Sequence, residues 1–139
     1  MKGIVIKNEN GYYSVQFADG NVLSCKVRGR LKKTRYSLLV GDTVEVENSG
    51  EGEGSIEGIL PRRNSLKRPP VANIDSVILV VAAHEPDINV LLLNKLLVMI
   101  EDADIPLCIC INKWDLHDEA SVELVKIYEN IGYKVLRTS

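Results

Sequence analysis

The chain has 139 residues, a net charge of −2, and a composition that is 45% hydrophobic and 26% charged. These values are typical of a globular protein with one ordinary domain or two small ones. The longest apolar run is too short to span a bilayer and no signal segment opens the chain, so we expect a cytoplasmic protein with no membrane partner. Three cysteines, two of them in one apolar run, make neither a disulfide framework nor a four-ligand metal site.

Charge is divided unevenly along the chain. Residues 1–72 hold 12 Lys and Arg against 8 Asp and Glu, whereas residues 73–139 hold 5 against 11. Two segments of opposite charge indicate two units with different partners.

The first segment has the alternating pattern of short β-strands. Apolar and polar residues alternate over 13–17 and again over 23–27, on either side of an Asp19-Gly20 turn, which predicts a hairpin. Further strands are predicted around Val44 and Val46 and from Ile56 to Leu60, with a mobile polar loop over 48–55. About five short strands without a convincing helix favour an all-β OB-type barrel. An SH3-like barrel is the alternative, and a sandwich needs more strands.

A proline-rich segment ends this pattern. Pro61 and the pair Pro69-Pro70 cannot donate to a ladder and force extended backbone around them. We therefore predict one domain over residues 1–68 and a second over residues 69–139.

The second domain has the pattern of a partial α/β parallel sheet. An apolar run over 74–83, rich in valine and isoleucine, predicts a strand buried on both faces. A helix over 88–104, with Asp87 as a candidate N-cap, is followed by a second buried strand over 106–112. Asp118 is a candidate N-cap for a helix to about Ile131, and Gly132 is suited to follow its end. A third strand begins in 133–139, so the order β-α-β-α-β predicts parallel pairing with right-handed crossovers.

The motif Asn112-Lys113-Trp114-Asp115 follows the second predicted strand directly. Ligands of open α/β sheets bind at the carboxyl ends of strands. A carboxylate at Asp115 can accept two hydrogen bonds from the ring N–H and amino group of guanine, which adenine lacks. Asn112 can bond the O6/N7 edge, and the stem of Lys113 can lie against the base or sugar. The alternative is a polar strand-to-helix loop in which Asn and Asp form the turn.

The rest of a nucleotide site is not found beside this motif. No Gly-x4-Gly-Lys-Ser/Thr phosphate loop occurs in the sequence, and no Asp-x-x-Gly follows a strand in a way that could hold magnesium. Either the motif is accidental, or the GTPase order is permuted and the phosphate loop lies beyond Ser139.

The order of motifs resembles that of the ribosome small-subunit-dependent GTPase A family, which are circularly permuted GTPases. The resemblance runs through "VRGRL", "VGDTVEV", "LPRRNSLKRPPVANID" and "INKWDL". It implies that Asn112, Lys113 and Asp115 carry guanine specificity, and that Ser139 begins the second guanine loop. It also implies a GTP hydrolase of small-subunit maturation that binds GTP or GDP with Mg²⁺, and Zn²⁺ in a C-terminal region. We expect this chain to be an N-terminal fragment with no catalytic residue or metal site, inactive by itself.

Basic residues recur every second position after the hairpin. If the strand continues through them, they form one outward stripe, and the face of strands two and three is where OB barrels bind oligonucleotides. The resemblance implies that this stripe contacts ribosomal RNA, whereas the alternative is a solvated strand face. The predicted RNA-binding residues are Lys26, Arg28, Arg30, Lys32, Lys33 and Arg35.

Two other function classes stay open at this point. One is a nucleotide-independent RNA-binding module whose α/β half is a scaffold. The other is a protein that pairs with another subunit through an exposed half sheet.

Overall fold

The computed structural model describes residues 1–32 and 37–139, and the side chains of all of these except Arg30 and Lys32. These residues form two compact units, Met1–Ile74 and Asp75–Ser139. The division lies later in the chain than the predicted boundary between residues 68 and 69. In the described part of the chain, no helix is both long enough and apolar enough to cross a membrane.

The first unit contains a five-stranded closed barrel. Each strand bonds to its neighbours in the order β1-β2-β3-β5-β4, and β4 pairs back with β1. All of these pairings are antiparallel except that between β3 and β5. The elements of the unit are β1 Lys2–Glu9, β2 Tyr12–Gln16, β3 Val22–Val27, α1 Gly29–Lys32, β4 Thr43–Gly50, β5 Glu53–Ile59, β6 Ser65–Leu66 and β7 Val71–Ala72.

The inward positions of the strands make the core of the barrel. Successive side chains of a strand point to opposite faces, so one residue in two is buried. The buried set is Val5, Val15, Cys25, Val44, Val46 and Ile56, with Leu38 beside it. The predicted hairpin is confirmed, because β2 and β3 pair antiparallel around a turn in which Gly20 has a φ of 87°.

Two expectations for this unit were wrong, and one strand was not predicted. The polar segment 48–55 is mostly strand, since β4 runs to Gly50 and β5 starts at Glu53. A short helix, α1, follows β3 where no helix and a continuing strand were expected. Sequence reasoning also did not locate β1, whose isoleucines Ile4 and Ile6 face outward while Gly3 and Val5 fill the interior. A Cβ on Gly3 would lie 2.5 Å from Val15 Cγ1, so the core requires a glycine that weakens the apolar pattern.

The proline-rich segment belongs structurally to the barrel unit. Its short strands β6 and β7 pair with each other, and Val71 bridges to Val40. Ala72 N–H donates to the Val40 carbonyl at 2.9 Å, and Asn73 Nδ2 donates to the Gly41 carbonyl at 2.9 Å. These bonds explain why the division of the chain lies after Ile74.

The second unit is a three-stranded parallel sheet in the order β10-β9-β8 with two helices. The predicted β-α-β-α-β order is confirmed. Asp118 caps α3 through a reciprocal pair of bonds with Ser121, and Gly132 ends that helix with a φ of 113°. The N-cap of α2 is Asn89 rather than Asp87. The elements are β8 Val77–Ala82, α2 Val90–Asp102, β9 Leu107–Asn112, α3 Glu119–Ile131 and β10 Val135–Arg137.

Both helices contribute to the core on one face of this sheet. Leu93 and Leu97 of α2 and Val125 and Tyr128 of α3 join the odd-numbered residues of the strands in one apolar cluster. The prediction that the first strand is buried on both faces was wrong. On the opposite face, Ile78 is 60% exposed and Val80 is 62% exposed, because no helix among the described residues covers them.

Candidate functional site

The predicted guanine motif lies where the central strand of the sheet ends. β9 ends at Asn112, whose carbonyl accepts from Ala83 N–H at 2.9 Å, and the Ile111 carbonyl accepts from Thr138 N–H at 2.9 Å. Lys113 then adopts left-handed backbone with a φ of 55°, which reverses the chain into a short 3₁₀ turn. Left-handed backbone costs a non-glycine residue about 1–3 kcal/mol and concentrates at functional sites. The motif is therefore a sharp loop at the carboxyl edge of a parallel sheet.

The loop presents a carboxylate to solvent and holds a lysine against a neighbouring loop. Asp115 is exposed, and no residue in the described ranges makes a hydrogen bond or ion pair with its carboxylate. Lys113 Nζ donates to the Glu85 carbonyl at 2.7 Å. Because that bond fixes the end of the lysine stem, its methylene groups have a defined path beside the loop. An unpaired carboxylate next to a fixed apolar stem is suited to the edge and face of a flat base.

Thr138 ties the predicted second guanine loop to the first. Its hydroxyl donates to Asn112 Oδ1 at 2.9 Å, and its carbonyl accepts from Trp114 N–H at 2.9 Å. Thr138 Oγ1 also lies 3.5 Å from Cys110 Sγ. Ser139 follows Thr138 directly in the sequence. The sequence places Thr138 at the start of the second guanine loop by resemblance, and the pairing of β10 with β9 adds that its hydroxyl contacts Asn112.

Trp114, the variable residue of the motif, stacks on His117 and lies close to Arg137. The rings of Trp114 and His117 are parallel to within 9°, with centroids 4.8 Å apart. Arg137 Cζ lies 5.3 Å from the Trp114 ring centroid, and Arg137 also forms an ion pair with Glu129 at 3.0 Å. Trp114 thus faces protein groups, which leaves Asn112, Lys113 and Asp115 as the residues available to a ligand.

Concave surfaces of this unit lie both beside the motif and away from it, and one of about 470 Å³ follows the motif directly, lined by His117 and Asp118. A cavity of about 490 Å³ is lined by Asn112 and Lys113 together with apolar residues of β8 and α2. Another, of about 560 Å³, lies among Glu101, Asp104 and Gly132, next to the start of β9. This last cavity is at the amino end of the strand, away from the motif. No three of the His, Cys, Asp and Glu side chains described in this structure are grouped as metal ligands.

The predicted RNA-binding residues are only partly described. Lys26 is exposed, with its Nζ 4.9 Å from the centroid of the Tyr12 ring, and the hydrogen bond with Tyr12 raises the Lys26 pKa. Arg28 pairs with Glu57 at 2.5 Å, which raises the pKa of Arg28. The side chains of Arg30 and Lys32 and the whole of Lys33 and Arg35 lie outside the described residues.

The expected single strand through these basic residues is wrong. β3 ends at Val27 and α1 spans Gly29–Lys32, so Arg30 and Lys32 are in helical backbone. Residues two apart on a helix do not share a face. The even spacing therefore does not make one stripe, and the RNA-binding role of the six residues stays a prediction.

Family models for two consecutive domains match this chain. The model described as "RsgA N-terminal domain" matches residues 2–56, and the model described as "RsgA GTPase" matches residues 59–139. Together they cover the barrel and the sheet that carries the motif.

Curated proteins and solved structures resemble the chain over nearly its whole length. "Small ribosomal subunit biogenesis GTPase RsgA" of Shouchella clausii is 43% identical over 142 residues, covering 99% of this chain and 48% of that protein. The protein of the same name from Caldanaerobacter subterraneus is 42% identical, covering 100% of this chain and 47% of that protein.

The fold of the chain is also that of two crystal structures. "YloQ, a circularly permuted GTPase" has a TM-score of 0.79 at 36% identity, and YjeQ from Thermotoga maritima has a TM-score of 0.84 at 34% identity. Each match covers 99% of this chain and 51% of the other. The chain thus spans about half the length of the relatives it matches. On the evidence of both domain models and of these relatives, the chain belongs to the RsgA family.

Proposed function

We propose that this chain supplies the RNA-binding barrel and the guanine-reading half of a GTPase that acts in small ribosomal subunit biogenesis in the cytoplasm. The observation that carries the proposal is the loop at the end of β9, where no described side chain pairs with Asp115 and where Thr138 holds Asn112. The names of the relatives, which are small-subunit biogenesis GTPases, support the same activity.

Guanine recognition follows from the chemistry of this loop. The Asp115 carboxylate accepts from the ring N–H and the amino group of guanine, and both bonds are lost with adenine. Lys113 is held by the Glu85 carbonyl so that its stem can cover the base. Ser139, two residues after the end of β10, is the proposed start of the second guanine loop. The nucleotide would bring its triphosphate and a Mg²⁺ ion, for which this chain contributes no phosphate loop.

A base switch tests the guanine site. The experiment joins this chain to the second half of the Shouchella clausii relative and compares GTP with xanthosine triphosphate. Asp115→Asn should move the preference from guanine to xanthine, because an amide offers one donor and one acceptor to xanthine's 2-oxo group and ring N–H. Asp118→Asn is the matched control, because the Asp118 carboxylate lies close to Asp115 in the sequence but caps α3 and has no proposed role in base binding. Equal loss of both nucleotides in Asp115→Asn would contradict the proposal.

Hydrolysis is proposed for the joined protein and not for this chain by itself. Phosphoryl transfer depends on positioning and charge neutralisation by a phosphate loop, its lysine and a held magnesium ion. Two or three exposed hydrogen bonds contribute about 1 kcal/mol each, which does not offset an association cost of at least about 4 kcal/mol. The 139-residue chain should release no phosphate from GTP above background, whereas the joined protein should turn over.

We also propose that the barrel is OB-type and binds ribosomal RNA on the outward face of β2 and β3. The strand order β1-β2-β3-β5-β4 with one parallel pairing supports the OB assignment. On that face an exposed aromatic ring, Tyr12, lies beside the cation of Lys26. Aromatic rings stack on unpaired bases and cations neutralise phosphates. The remaining charges of the proposed surface are Arg28, Arg30, Lys32, Lys33 and Arg35.

Salt dependence tests the RNA surface. Replacing Lys26, Arg30 and Lys33 by glutamine should weaken binding to the small subunit and lower the salt slope by about 0.7–0.9 per lost phosphate contact. The matched control replaces Lys95, Lys126 and Lys134 of the sheet unit by glutamine. An unchanged affinity with an unchanged slope in the barrel variant would exclude this surface. Small-subunit affinity that is the same with GTP, with GDP and without nucleotide would instead support a nucleotide-independent RNA-binding module.

A further inference from the structure

The carboxylate of the guanine motif lies on a turn that is too short to be stable by itself. Asp115 is the middle residue of the 3₁₀ turn Trp114–Leu116, which follows Lys113 in left-handed backbone. His117 N–H closes the turn by donating to the Trp114 carbonyl at 2.9 Å. Hydrogen bonds of 3₁₀ geometry are weak, and a single helical turn is marginal in water. The direction of the Asp115 side chain therefore depends on contacts that its neighbours make.

The residues that flank Asp115 and Leu116 hold each other through their side chains. The rings of Trp114 and His117 are stacked, parallel to within 9° and with centroids 4.8 Å apart. His117 Nδ1 also lies 2.7 Å from the Trp114 carbonyl oxygen, which only accepts, so Nδ1 carries a proton. Both contacts join the first residue of the turn to the residue that follows the turn. The Trp114–His117 stack thus braces the backbone on which Asp115 lies.

Arg137 connects this stack to the sheet and to α3. Its Cζ lies 5.3 Å from the centroid of the Trp114 ring, within the range of a cation–π contact. The backbone of Arg137 pairs with Ile111 of β9, and its Nη2 forms an ion pair with Glu129 of α3 at 3.0 Å. The guanidinium is therefore held beside the indole by a strand and by a helix.

Packing in the core does not explain a tryptophan at position 114. The side chain is partly buried and packs against the apolar cluster of the sheet unit, which any large apolar side chain could do. Only a flat aromatic ring can stack on an imidazole and also attract a cation to its face. Position 114 is the x of Asn-Lys-x-Asp, to which the chemistry of base recognition assigns no residue.

We propose that Trp114 is a positioning residue for base recognition, which holds the turn so that Asp115 points at the ring N–H and amino group of guanine. The proposal rests on the proposed guanine-binding function and adds to it the contacts that direct the carboxylate. A carboxylate that samples several directions is competent for only part of the time, and the apparent affinity falls by that fraction. Adenine offers neither of the two donors, so ATP binding does not depend on this turn.

The stack can be tested in the 139-residue chain without any nucleotide. The backbone amide of Asp115 should have an order parameter of about 0.85, and the ring current of Trp114 should shift the His117 ring protons upfield. Trp114→Leu keeps an apolar side chain and removes the stack, so it should bring the order parameter below about 0.6 and abolish the upfield shift. Trp114→Phe, which can still stack, should restore both.

A double variant shows whether the two rings act as one unit. His117→Leu should lower the order parameter of Asp115 as much as Trp114→Leu does, and the two changes together should lower it no further. An order parameter that stays high in Trp114→Leu would overturn the proposal.

Nucleotide binding by the joined protein gives a second measurement. Trp114→Leu should weaken GTP and GDP binding about three- to tenfold, as when Asp115 is correctly directed for a third to a tenth of the time. ATP binding should stay the same, and Trp114→Phe should bind GTP as the unchanged joined protein does. The matched control is Tyr133→Leu, which removes the edge contact with Tyr128, whose ring centroid is 6.2 Å away, at the other end of the sheet. It should lower the melting temperature and keep the preference for GTP.

These outcomes separate the positioning role from the proposed function. If the unchanged joined protein does not prefer GTP to ATP, the proposed function fails, and the order parameter of Asp115 still decides whether Trp114 holds the turn. A preference for GTP that is unchanged in Trp114→Leu would overturn the positioning role. An equal loss of preference in Tyr133→Leu would also overturn it, because the stability of the unit and not the direction of Asp115 would then set the preference.

Discussion

The barrel unit and the sheet unit differ in how completely their strands are paired and their apolar side chains are buried. In the barrel every strand has a partner on both sides, and Val5, Val15, Val44 and Ile56 are fully buried. In the sheet, β8 and β10 each pair on one side only within the described part of the chain, and Ile78 and Val80 are mostly exposed. Parallel sheets are normally covered on both faces, so the sheet unit is a surface to which more protein can bind.

This difference places stability and recognition in separate parts of the molecule. The barrel gains its stability from a closed ring of backbone bonds and an apolar interior in which Val15, Val44 and Ile56 are fully buried. The sheet unit carries its polar loop at the carboxyl edge, where the ends of β9 and β10 bring Asn112 and Thr138 together. Substitutions should therefore destabilise the barrel most where they break its interior, and affect the sheet unit most through its loops.

The largest loss of stability is expected at the ion pair inside the barrel unit. Asp42 is fully buried, its oxygens accept from Arg62 at 2.7 and 2.8 Å, and Oδ2 also accepts from Leu39 N–H. Arg62→Ala leaves a buried carboxylate without its cation, which costs about 3–5 kcal/mol. The loss is measured as the decrease in the free energy of unfolding of the barrel unit in urea. Arg68→Ala removes an exposed arginine of the same segment, and an equal loss there would contradict the assignment.

A matched pair of isoleucines tests the comparison directly. Ile56 of β5 is fully buried and Ile78 of β8 is 60% exposed, so the same truncation removes different contacts. Ile56→Ala should cost about 2–5 kcal/mol, and Ile78→Ala should stay within about 0.5 kcal/mol. Denaturant unfolding of both variants gives the two values. Similar losses would mean that the outer face of β8 is covered in solution.

Much of the fold could be predicted because its signals are local. The β2–β3 hairpin has a glycine turn between alternating strands, and α3 has an Asp118 cap and a Gly132 stop. The prediction failed where the signal depends on distant contacts. The isoleucines of β1 point outward because Gly3 must lie against Val15 in the interior. Whether the second face of β8 is buried depends on what covers the sheet, which the sequence of the strand does not show. The proline-rich segment is bound to the barrel by Asn73 and Arg62, whose partners Gly41 and Asp42 lie far away in the sequence.

The residues of the candidate site could be predicted from the sequence, but their arrangement in space could not. Asn112, Lys113 and Asp115 are adjacent in sequence, so their chemistry could be proposed from spacing alone. Glu85 reaches the motif only through the turn after β8, and no sequence signal marks it. Thr138 is marked by the resemblance, but its contact with Asn112 depends on the pairing of β10 with β9. For the basic residues after β3, the spacing in the sequence predicted a geometry that does not exist. Their recurrence at every second position makes one face only in a strand, and β3 ends at Val27 before α1 begins.

The smallest expected effect is a pH dependence of the sheet unit at the start of α3. Hydrogen bonds from Ser121, backbone and then side chain, hold the pKa of Asp118 below its ordinary value of 3.8, and His84 acts in the same direction. A depressed pKa means that the stabilisation is present above 3.8 and is lost as the pH falls through the lower native pKa. Amide exchange in α3 should accelerate over that range, while Asp118→Asn, which caps without titrating, should show a smaller change. Parallel pH profiles for the two proteins would show that the charge on Asp118 does not stabilise this helix.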